Sequence, residues 1–397
     1  MTKIGVVWFD DPEHANNGWY SINGANPVRI NSYGELKTDV IWITNINYRT
    51  YRKLNFTSSP HIYDEQYFRT SLKQIASEVG LLEDPKSLVI FASKVFTRVV
   101  DLGKKHFNLD LTNPGYRYYS LLADRIMPTF MRKRPTESFS LDLIEGFKQA
   151  TQANQAITGL KAPQGSNVQS FVIPRVAHAK WLLSQPYPGP GVWQELKKKD
   201  YSGVFGIEDG QEVRGTKAKV NSLIELGNKK AAIFRINVLS IDNFHRSFST
   251  FGAGVKYTRK WATIPEIIHM SRYSKMEIDG GYAIDSVNLD ILDKLNFDSF
   301  DNQLDYSYSL GLFLENVWIA LTNPLYGNGQ HTAVGAYMRA YDRLICARYA
   351  ELFSEYNYII GSYGTGRVLV YVRPNENYII GELALENNLL PPLHMVN

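Results

Sequence analysis

The sequence predicts an α+β protein with two domains. Segments in which apolar and polar residues alternate predict strands, and they occur near both ends of the chain and again in its middle. Segments with apolar residues three or four positions apart follow capping side chains and predict helices. A chain of 397 residues is also too long for one ordinary hydrophobic core. We therefore expect two domains that each combine strands and helices.

A small N-terminal sheet is predicted first. Residues 3–9 are almost entirely apolar and end at Asp10 and Asp11, as a buried strand followed by a turn would. Asn-Gly and Tyr-Gly dipeptides separate the strands that should follow, and we expect this sheet to be antiparallel. The further predicted strands span residues 19–22, 28–30 and 39–44.

Four helices are predicted to come next. Each follows a side chain that can cap a helix and carries apolar residues along one side. Asp64 should cap the first helix, Asp84 the second, and Ser138 or Ser140 the fourth, which Gly159 should end. The first three helices are predicted at residues 64–79, 85–102 and 116–127.

A segment rich in proline and glycine is predicted to link the two domains. Residues 184–191 contain three prolines and two glycines, so neither a helix nor a central strand should form there. We therefore predict a mixed first domain over residues 1–183, closed by a short strand at 170–173. The second predicted domain, the candidate nucleic-acid-binding domain, spans residues 192–397.

The second domain is predicted to begin with a β-meander and to end with C-terminal helices and a closing hairpin. Alternating apolar residues separated by glycine-containing turns indicate the meander. Its strands are expected at residues 203–207, 218–226 and 231–239. The later elements are helices at 301–321 and 333–353, hairpin strands at 358–363 and 367–372, and a further strand at 378–383.

Composition excludes several protein classes. Hydrophobic residues make up 44% and charged residues 21% of the chain, which is typical of a folded domain and not of a disordered one. The longest apolar runs are too short to cross a bilayer, and the N-terminus does not resemble a secretory signal. We therefore expect a cytoplasmic protein with no membrane partner. The single cysteine excludes an intrachain disulfide and a thiolate zinc cluster.

Basic and aromatic residues alternate at several places, and this pattern is the main indication of function. A ring beside a cation can stack on a base while the cation neutralises a phosphate. Such runs occur at residues 48–53, 116–119, 256–261 and 272–275. On the second strand of the predicted meander, Lys217 and Lys219 would project from the same face. The net charge of +4 is too small to indicate nucleic acid by itself.

We therefore predict an accessory protein of replication, recombination or transcription that binds single-stranded DNA or RNA without being an enzyme. A protein of the replication or transcription machinery is a further expected partner. No cofactor or metal is expected. The residues predicted to stack on bases or contact phosphates are Tyr257, Arg259, Lys260, Trp261, Lys217, Lys219, Arg235, Tyr116, Tyr118, Arg132 and Arg134.

Two other functions remain open from the sequence. Asp10, Asp11 and Glu13 follow the first strand and, with a later aspartate, could hold Mg²⁺ in a phosphodiester-cleaving enzyme such as a nuclease. Asp-Pro after a strand is, however, ordinary turn chemistry. Tyrosine, tryptophan and arginine also dominate protein interfaces, so a structural or scaffolding subunit is the third possibility. No Walker-type phosphate loop is present.

Overall fold

The computed structural model confirms the α+β class. The chain folds into two compact units: unit 1 comprises residues 1–126, 293–320 and 391–397, and unit 2 comprises residues 127–292 and 321–390. The structure describes residues 3–54, 62–64, 67–109, 117–126, 140–151, 155–156, 162–197, 201–246, 249, 259–295, 304–322 and 331–395.

The helices and strands that the structure describes are numbered here in chain order. The helices are α1 Tyr48–Leu54, α2 Leu72–Val79, α3 Pro85–Phe107, α4 Tyr118–Ile126, α5 Leu141–Ala150, α6 Arg175–Leu183, α7 Thr216–Gly227, α8 Asn243–Arg246, α9 Ile264–Met270, α10 Leu304–Ala320, α11 Ala333–Glu355 and α12 Asn377–Glu386. The strands are β1 Ile4–Asp11, β2 Asn16–Ile22, β3 Val28–Ser32, β4 Ile41–Thr44, β5 Ile62–Tyr63, β6 Gln155–Ala156, β7 Asn167–Val172, β8 Tyr187–Pro188, β9 Gln194–Glu195, β10 Val204–Glu208, β11 Gln211–Glu212, β12 Lys230–Ile241, β13 Trp261–Thr263, β14 Ser274–Val287, β15 Ile359–Tyr363 and β16 Arg367–Val372.

Unit 1 contains a five-stranded sheet in the order β3-β2-β1-β4-β5. Strands β1, β2 and β3 are antiparallel neighbours, whereas β4 runs parallel to β1 and β5 parallel to β4. The prediction of a purely antiparallel sheet was therefore wrong. Apolar alternation indicates which face of a strand is buried but not its direction. The sheet packs around Trp42, which is fully buried, and Gly5 lets its ring approach because a Cβ there would lie 2.4 Å from it.

Two helices of unit 1 have bounds that differ from those predicted. Helix α2 begins at Leu72 behind the capping residue Ser71, because Asp64 is buried in an ion pair with Arg117 and does not cap it. Helix α3 does not stop before Gly103. That glycine packs under Tyr118, where a Cβ would lie 2.2 Å from the hydroxyl oxygen, and the helix ends instead at Phe107, with Asn108 as its C-cap in the left-handed region.

Unit 2 contains two sheets. The larger has the order β11-β10-β14-β12-β13, with β8 and β9 also paired to β14, and the smaller has the order β6-β15-β16-β7. The predicted hairpin at β15 and β16 is confirmed. Its turn is held from inside the unit, because the buried carboxylate of Asp342 accepts hydrogen bonds from the backbone N–H groups of Thr365 (2.6 Å) and Gly366 (2.8 Å).

The predicted β-meander is wrong in its second strand, because residues 218–226 belong to helix α7. Val220, Leu223 and Leu226 are three positions apart, and together they pack one side of the helix against the core. The predicted strand at 378–383 is likewise helical and forms part of α12. The fourth predicted helix has Ser140, one of its two predicted caps, as its N-cap, but it ends at Ala150, before Gly159.

Residues 184–191, predicted as a linker, lie inside unit 2, so the division of the chain differs from the predicted one. Strand β8 pairs with the end of β14 through Tyr187 and Pro188. The Tyr187 ring is fully buried, and its hydroxyl donates to the carbonyl of Leu182 over 2.6 Å. Proline can occupy such a short strand at the margin of a sheet, where the missing N–H is tolerated. Among the described helices, none is both long and apolar enough to span a membrane.

Candidate nucleic-acid interface

Several of the predicted nucleic-acid-binding residues that the structure describes are buried or paired within their own unit. Two of the four predicted stacking rings are described, and both are buried. Tyr118 is fully buried and donates to the carbonyl of Val99 over 2.8 Å, and burial raises the pKa of its hydroxyl. Trp261 is 4% exposed and lies beside Tyr282, with ring centroids 6.3 Å apart. Neither ring can stack on a base. Tyr257, Tyr116, Arg132 and Arg134 lie outside the described residues.

Arg259, predicted to contact phosphate, belongs to a buried ion cluster in unit 2. Its Nη2 lies 2.6 Å from Oε1 of Glu266, and Nη2 of Arg343 lies 2.8 Å from the same oxygen. All three side chains are at most 4% exposed. Burial alone would raise the pKa of Glu266, but the two guanidinium charges lower it to about 2. Arg259 is thus paired inside the protein and is not exposed for contact with a phosphate.

Arg235 and Lys219 are engaged within unit 2. Nε of Arg235 lies 2.7 Å from a carboxylate oxygen of Asp279, and its Nη1 lies 3.2 Å from one of Asp142. Nζ of Lys219 donates to the carbonyl of Ser202, and burial lowers the pKa of this amine. These contacts neutralise or occupy two of the predicted phosphate ligands.

Lys217 and Lys260 are exposed. Lys217 and Lys219 lie on helix α7, where residues two apart point about 200° away from each other. The prediction that they share one face is therefore wrong. Lys260 precedes β13, and its backbone N–H donates to the side chain of Gln149 over 2.8 Å.

A different set of rings and cations comes together in unit 1. The Tyr48 ring is 53% exposed, with Cζ of Arg52 5.9 Å and Cζ of Arg117 5.7 Å from its centroid. A second ring, Tyr119, has Cζ of Arg69 5.4 Å from its centroid. Two further exposed cations, Arg49 and Lys53, lie on α1. Together these residues are called the Tyr48 surface: Tyr48, Arg49, Arg52, Lys53, Arg69, Arg117 and Tyr119.

Three segments that are distant in sequence build the Tyr48 surface. Arg117 is fixed by an ion pair with the buried carboxylate of Asp64. Helix α1 is tied to β5 by a hydrogen bond of 2.8 Å from the Tyr51 hydroxyl to the carbonyl of Ile62. The N-terminus of α4 is joined to the same region, because the N–H of Tyr118 donates to the carbonyl of Tyr67 over 3.2 Å. Buried contacts therefore position the exposed rings and cations.

The Tyr48 surface is strongly cationic. The described residues 47–54, 62–64, 67–71 and 117–120 contain five arginine or lysine side chains and one acid, Asp64, whose side chain is 6% exposed. The exposed part of this region therefore carries positive charge with no exposed carboxylate among those residues. An accessible ring between guanidinium groups can stack on a planar group while the cations attract phosphates. The runs at residues 48–53 and 116–119 were the sequence signal for this surface, whereas Arg69 had no such signal.

A second cation–aromatic group in unit 1 is less charged. Nζ of Lys86 lies 4.4 Å and Cζ of Arg29 lies 5.3 Å from the centroid of the Trp19 ring. Arg29 also forms an ion pair of 2.9 Å with Asp10. That carboxylate offsets one of the two cations, so this group is the weaker candidate for binding an anion.

The carboxylates considered for a metal site have other contacts. Asp10 pairs with Arg29, and Asp11 lies 2.8 Å from Nδ1 of His14. The hydrogen bond with His14 lowers the pKa of Asp11. Over the described ranges, no group of three or more histidine, cysteine, aspartate or glutamate side chains is arranged to hold a metal ion.

Comparison with known proteins gives only distant structural similarity. No protein-family model and no curated protein sequence matches the chain. Phi29 DNA polymerase complexed with primer-template DNA and incoming nucleotide substrates has 12% identity and a TM-score of 0.45, over 93% of this chain and 81% of that one. The same polymerase complexed with single-stranded DNA has 13% identity and a TM-score of 0.47, over 93% of this chain and 80% of that one. Similarity at this level does not establish a shared function.

Proposed function

We propose that this protein binds single-stranded nucleic acid through the Tyr48 surface. The observation that supports the proposal is the exposed Tyr48 ring with the guanidinium groups of Arg52 and Arg117 within 6 Å of its centroid. The proposed binding is not catalytic, and a role as an accessory factor in replication, recombination or transcription is part of the proposal.

The chemistry of the Tyr48 surface favours a single strand over a duplex. A base can stack on a tyrosine ring only when it is unstacked from its neighbours, which is the ordinary state of a single strand. Such stacking contributes about 1–3 kcal/mol per base and does not depend strongly on base identity. We therefore expect affinity for single strands of either sugar type with little sequence preference.

The cations of the surface supply the second part of the binding energy. Arg49, Arg52 and Lys53 lie on one short helix and are exposed, Arg69 lies beside Tyr119, and Arg117, whose charge Asp64 offsets in part, lies beside Tyr48. Each phosphate that a cation neutralises releases counterions, so affinity should fall as salt rises. Because Asp64 holds Arg117 in place, little side-chain freedom is lost there on binding.

A titration with Tyr48 variants tests the proposal. Fluorescence anisotropy of a labelled oligo(dT) at low salt should show binding by the unaltered protein, weaker binding by about 1–3 kcal/mol in Tyr48→Ala, and near-normal binding in Tyr48→Phe. Tyr356→Ala is the matched control, because Tyr356 is 58% exposed and lies in unit 2. Circular dichroism would confirm that each variant is folded.

Two outcomes would contradict the proposal. One is an affinity of Tyr48→Ala equal to that of the unaltered protein, and the other is binding to duplex as tight as to a single strand of the same length. Absence of any oligonucleotide binding, together with a defined complex with another protein, would favour the scaffolding function, because exposed tyrosine and arginine also dominate protein interfaces.

A further inference from the structure

Unit 2 contains a cavity of about 400 Å³ that the proposed nucleic-acid binding does not use. It lies between α9 and α11, beside the C-terminal end of α7 and the first residues of β12. Pockets of roughly 300–1,000 Å³ are the usual size for small organic ligands. All of the lining residues belong to unit 2, so the cavity is complete within that unit.

The walls of the cavity are mostly apolar. Aliphatic side chains from α9 and α11 form one part, and the rings of Trp181, Tyr337 and Tyr341 form another. The two tyrosine hydroxyls are already used, since Tyr337 donates to the carbonyl of Ala232 over 2.6 Å and Tyr341 donates to that of Pro186 over 3.0 Å. A ligand would therefore meet apolar ring surface. The aliphatic lining residues are Ile224, Ile264, Ile268, Leu344 and Ile345.

Cations lie at the border of this apolar cavity. Lys230 and Arg272 have carboxylate partners, at 3.6 Å from Asp285 and 3.9 Å from Glu351. Arg348 is exposed, and no carboxylate of the described part of the chain lies within ion-pair distance of it. The cavity therefore combines an apolar interior with a guanidinium group that can accept an anion as its partner.

We propose that this cavity binds a small amphipathic carboxylate of the fatty-acid type. The aliphatic chain fills the space among Ile264, Ile268 and Leu344, and the carboxylate pairs with Arg348 in the bidentate geometry that guanidinium favours. A nucleobase fits the cavity less well. Its polar edge needs several donors and acceptors, whereas the tyrosine hydroxyls and the hydroxyl of Ser286, which donates to the carbonyl of Lys229, are already engaged.

Isothermal titration calorimetry with dodecanoate, below the concentration at which it forms micelles, tests the proposal. We expect one saturable site per chain and quenching or shift of tryptophan fluorescence, because Trp181 lines the cavity. Arg348→Gln should weaken dodecanoate binding by about tenfold or more, since a charge-assisted contact is lost. Dodecanol, which lacks the charge, should bind the unaltered protein about as weakly as dodecanoate binds Arg348→Gln.

Two further variants distinguish the cavity from nonspecific association. Leu344→Trp fills the cavity and should abolish binding, whereas Arg214→Gln, a change at an exposed arginine that does not line the cavity, should leave it unchanged. No saturable site, or equal affinity in Arg348→Gln and the unaltered protein, would overturn the proposal. Because Tyr48 belongs to unit 1, oligonucleotide binding by the same variants reports separately on the proposed function.

Discussion

Rings and cations that alternate in sequence are exposed in one described run of unit 1 and buried in one of unit 2. In unit 1, Tyr48 is 53% exposed beside Arg52 and Arg117. In unit 2, Trp261 is 4% and Arg259 is 3% exposed, although their run also combines rings with three cations. Alternation of ring and cation therefore does not distinguish an exposed surface from a core.

The position of the carboxylates accounts for the difference. In unit 2, Glu266 lies within 3 Å of guanidinium nitrogens from Arg259 and Arg343, so burial of these charges is compensated. In unit 1, the carboxylate of Asp64 pairs with Arg117 and leaves the cations of α1 exposed around the ring. A buried carboxylate that pairs with one cation and leaves the neighbouring cations exposed therefore distinguishes the surface in unit 1 from the ion cluster in unit 2.

Removal of the shared carboxylate in unit 2 should have the largest effect on stability. Glu266→Ala leaves the charges of Arg259 and Arg343 buried without it, and breaking a buried ion pair in this way costs about 3–5 kcal/mol. Urea denaturation followed by circular dichroism would measure the change in the free energy of unfolding. Glu225→Ala, at an exposed position of α7, is the control and should change it by less than about 0.5 kcal/mol. A loss below 1 kcal/mol in Glu266→Ala would show that the cluster is not a stabilising core element.

The ion cluster around Glu266 should also make the stability of the protein depend on pH. Burial tends to raise the pKa of Glu266, but the two guanidinium charges lower it from 4.5 to about 2 in the folded protein. The carboxylate therefore stabilises the fold fully above about pH 4.5, and that contribution is lost as the pH falls towards 2. This contribution to the free energy of unfolding is on the order of 3 kcal/mol. The difference in the free energy of unfolding between the unaltered protein and Glu266→Gln should shrink over this interval, and a constant difference would contradict the assignment.

Much of the fold could be predicted because local patterns determined it. Capping residues located the start of α3 at Pro85 and of α5 at Leu141, and glycines located the turn between β15 and β16. The prediction of the second strand of the meander was wrong because Val220, Leu223 and Leu226 have the spacing of a helix, whereas the flanking segments alternate as strands do. The parallel pairing of β4 with β1 contradicted the predicted antiparallel sheet, because the direction of a strand depends on the connection between strands and not on their residues.

The Tyr48 surface was harder to predict because it joins segments that are distant in the sequence. The run at residues 48–53 has three cations and no acid, but so has the run at 256–261, and the partners of the first run, Arg117 and Asp64, become neighbours only on folding. The burial of Arg259 in an ion pair could partly be predicted from the sequence. Thr263 and Glu266 form a capping box at the start of α9, which places a carboxylate at a buried helix end a few residues after the arginine. Nothing in the sequence shows that Arg343 would reach the same oxygen.

Salt dependence of binding offers a smaller and more selective test of the comparison. If Arg49 and Lys53 contact phosphates of a single strand, the double variant Arg49→Gln/Lys53→Gln should reduce the slope of log affinity against log salt by about 1.4. Lys217→Gln/Lys260→Gln removes two exposed cations from unit 2 and is the matched control. Anisotropy titrations at several salt concentrations would measure both slopes. A reduced slope in the control and not in the first variant would contradict the proposal and would indicate that unit 2 contacts the phosphates.

The smallest expected effect concerns the backbone of Arg69. This residue has φ of +65°, in the left-handed region that costs a non-glycine residue about 1–2 kcal/mol, while its guanidinium lies over Tyr119. Arg69→Gly relieves that strain but adds about 0.5–1 kcal/mol of backbone entropy to the unfolded chain. The free energy of unfolding should therefore rise by about 0–1.5 kcal/mol, whereas oligonucleotide affinity should fall because a cation is lost. Arg69→Lys keeps both the strain and the charge, so it should leave stability and affinity nearly unchanged. If Arg69→Gly weakened neither affinity nor its salt dependence, Arg69 would be excluded from the Tyr48 surface, and the interface would be confined to α1 and Arg117.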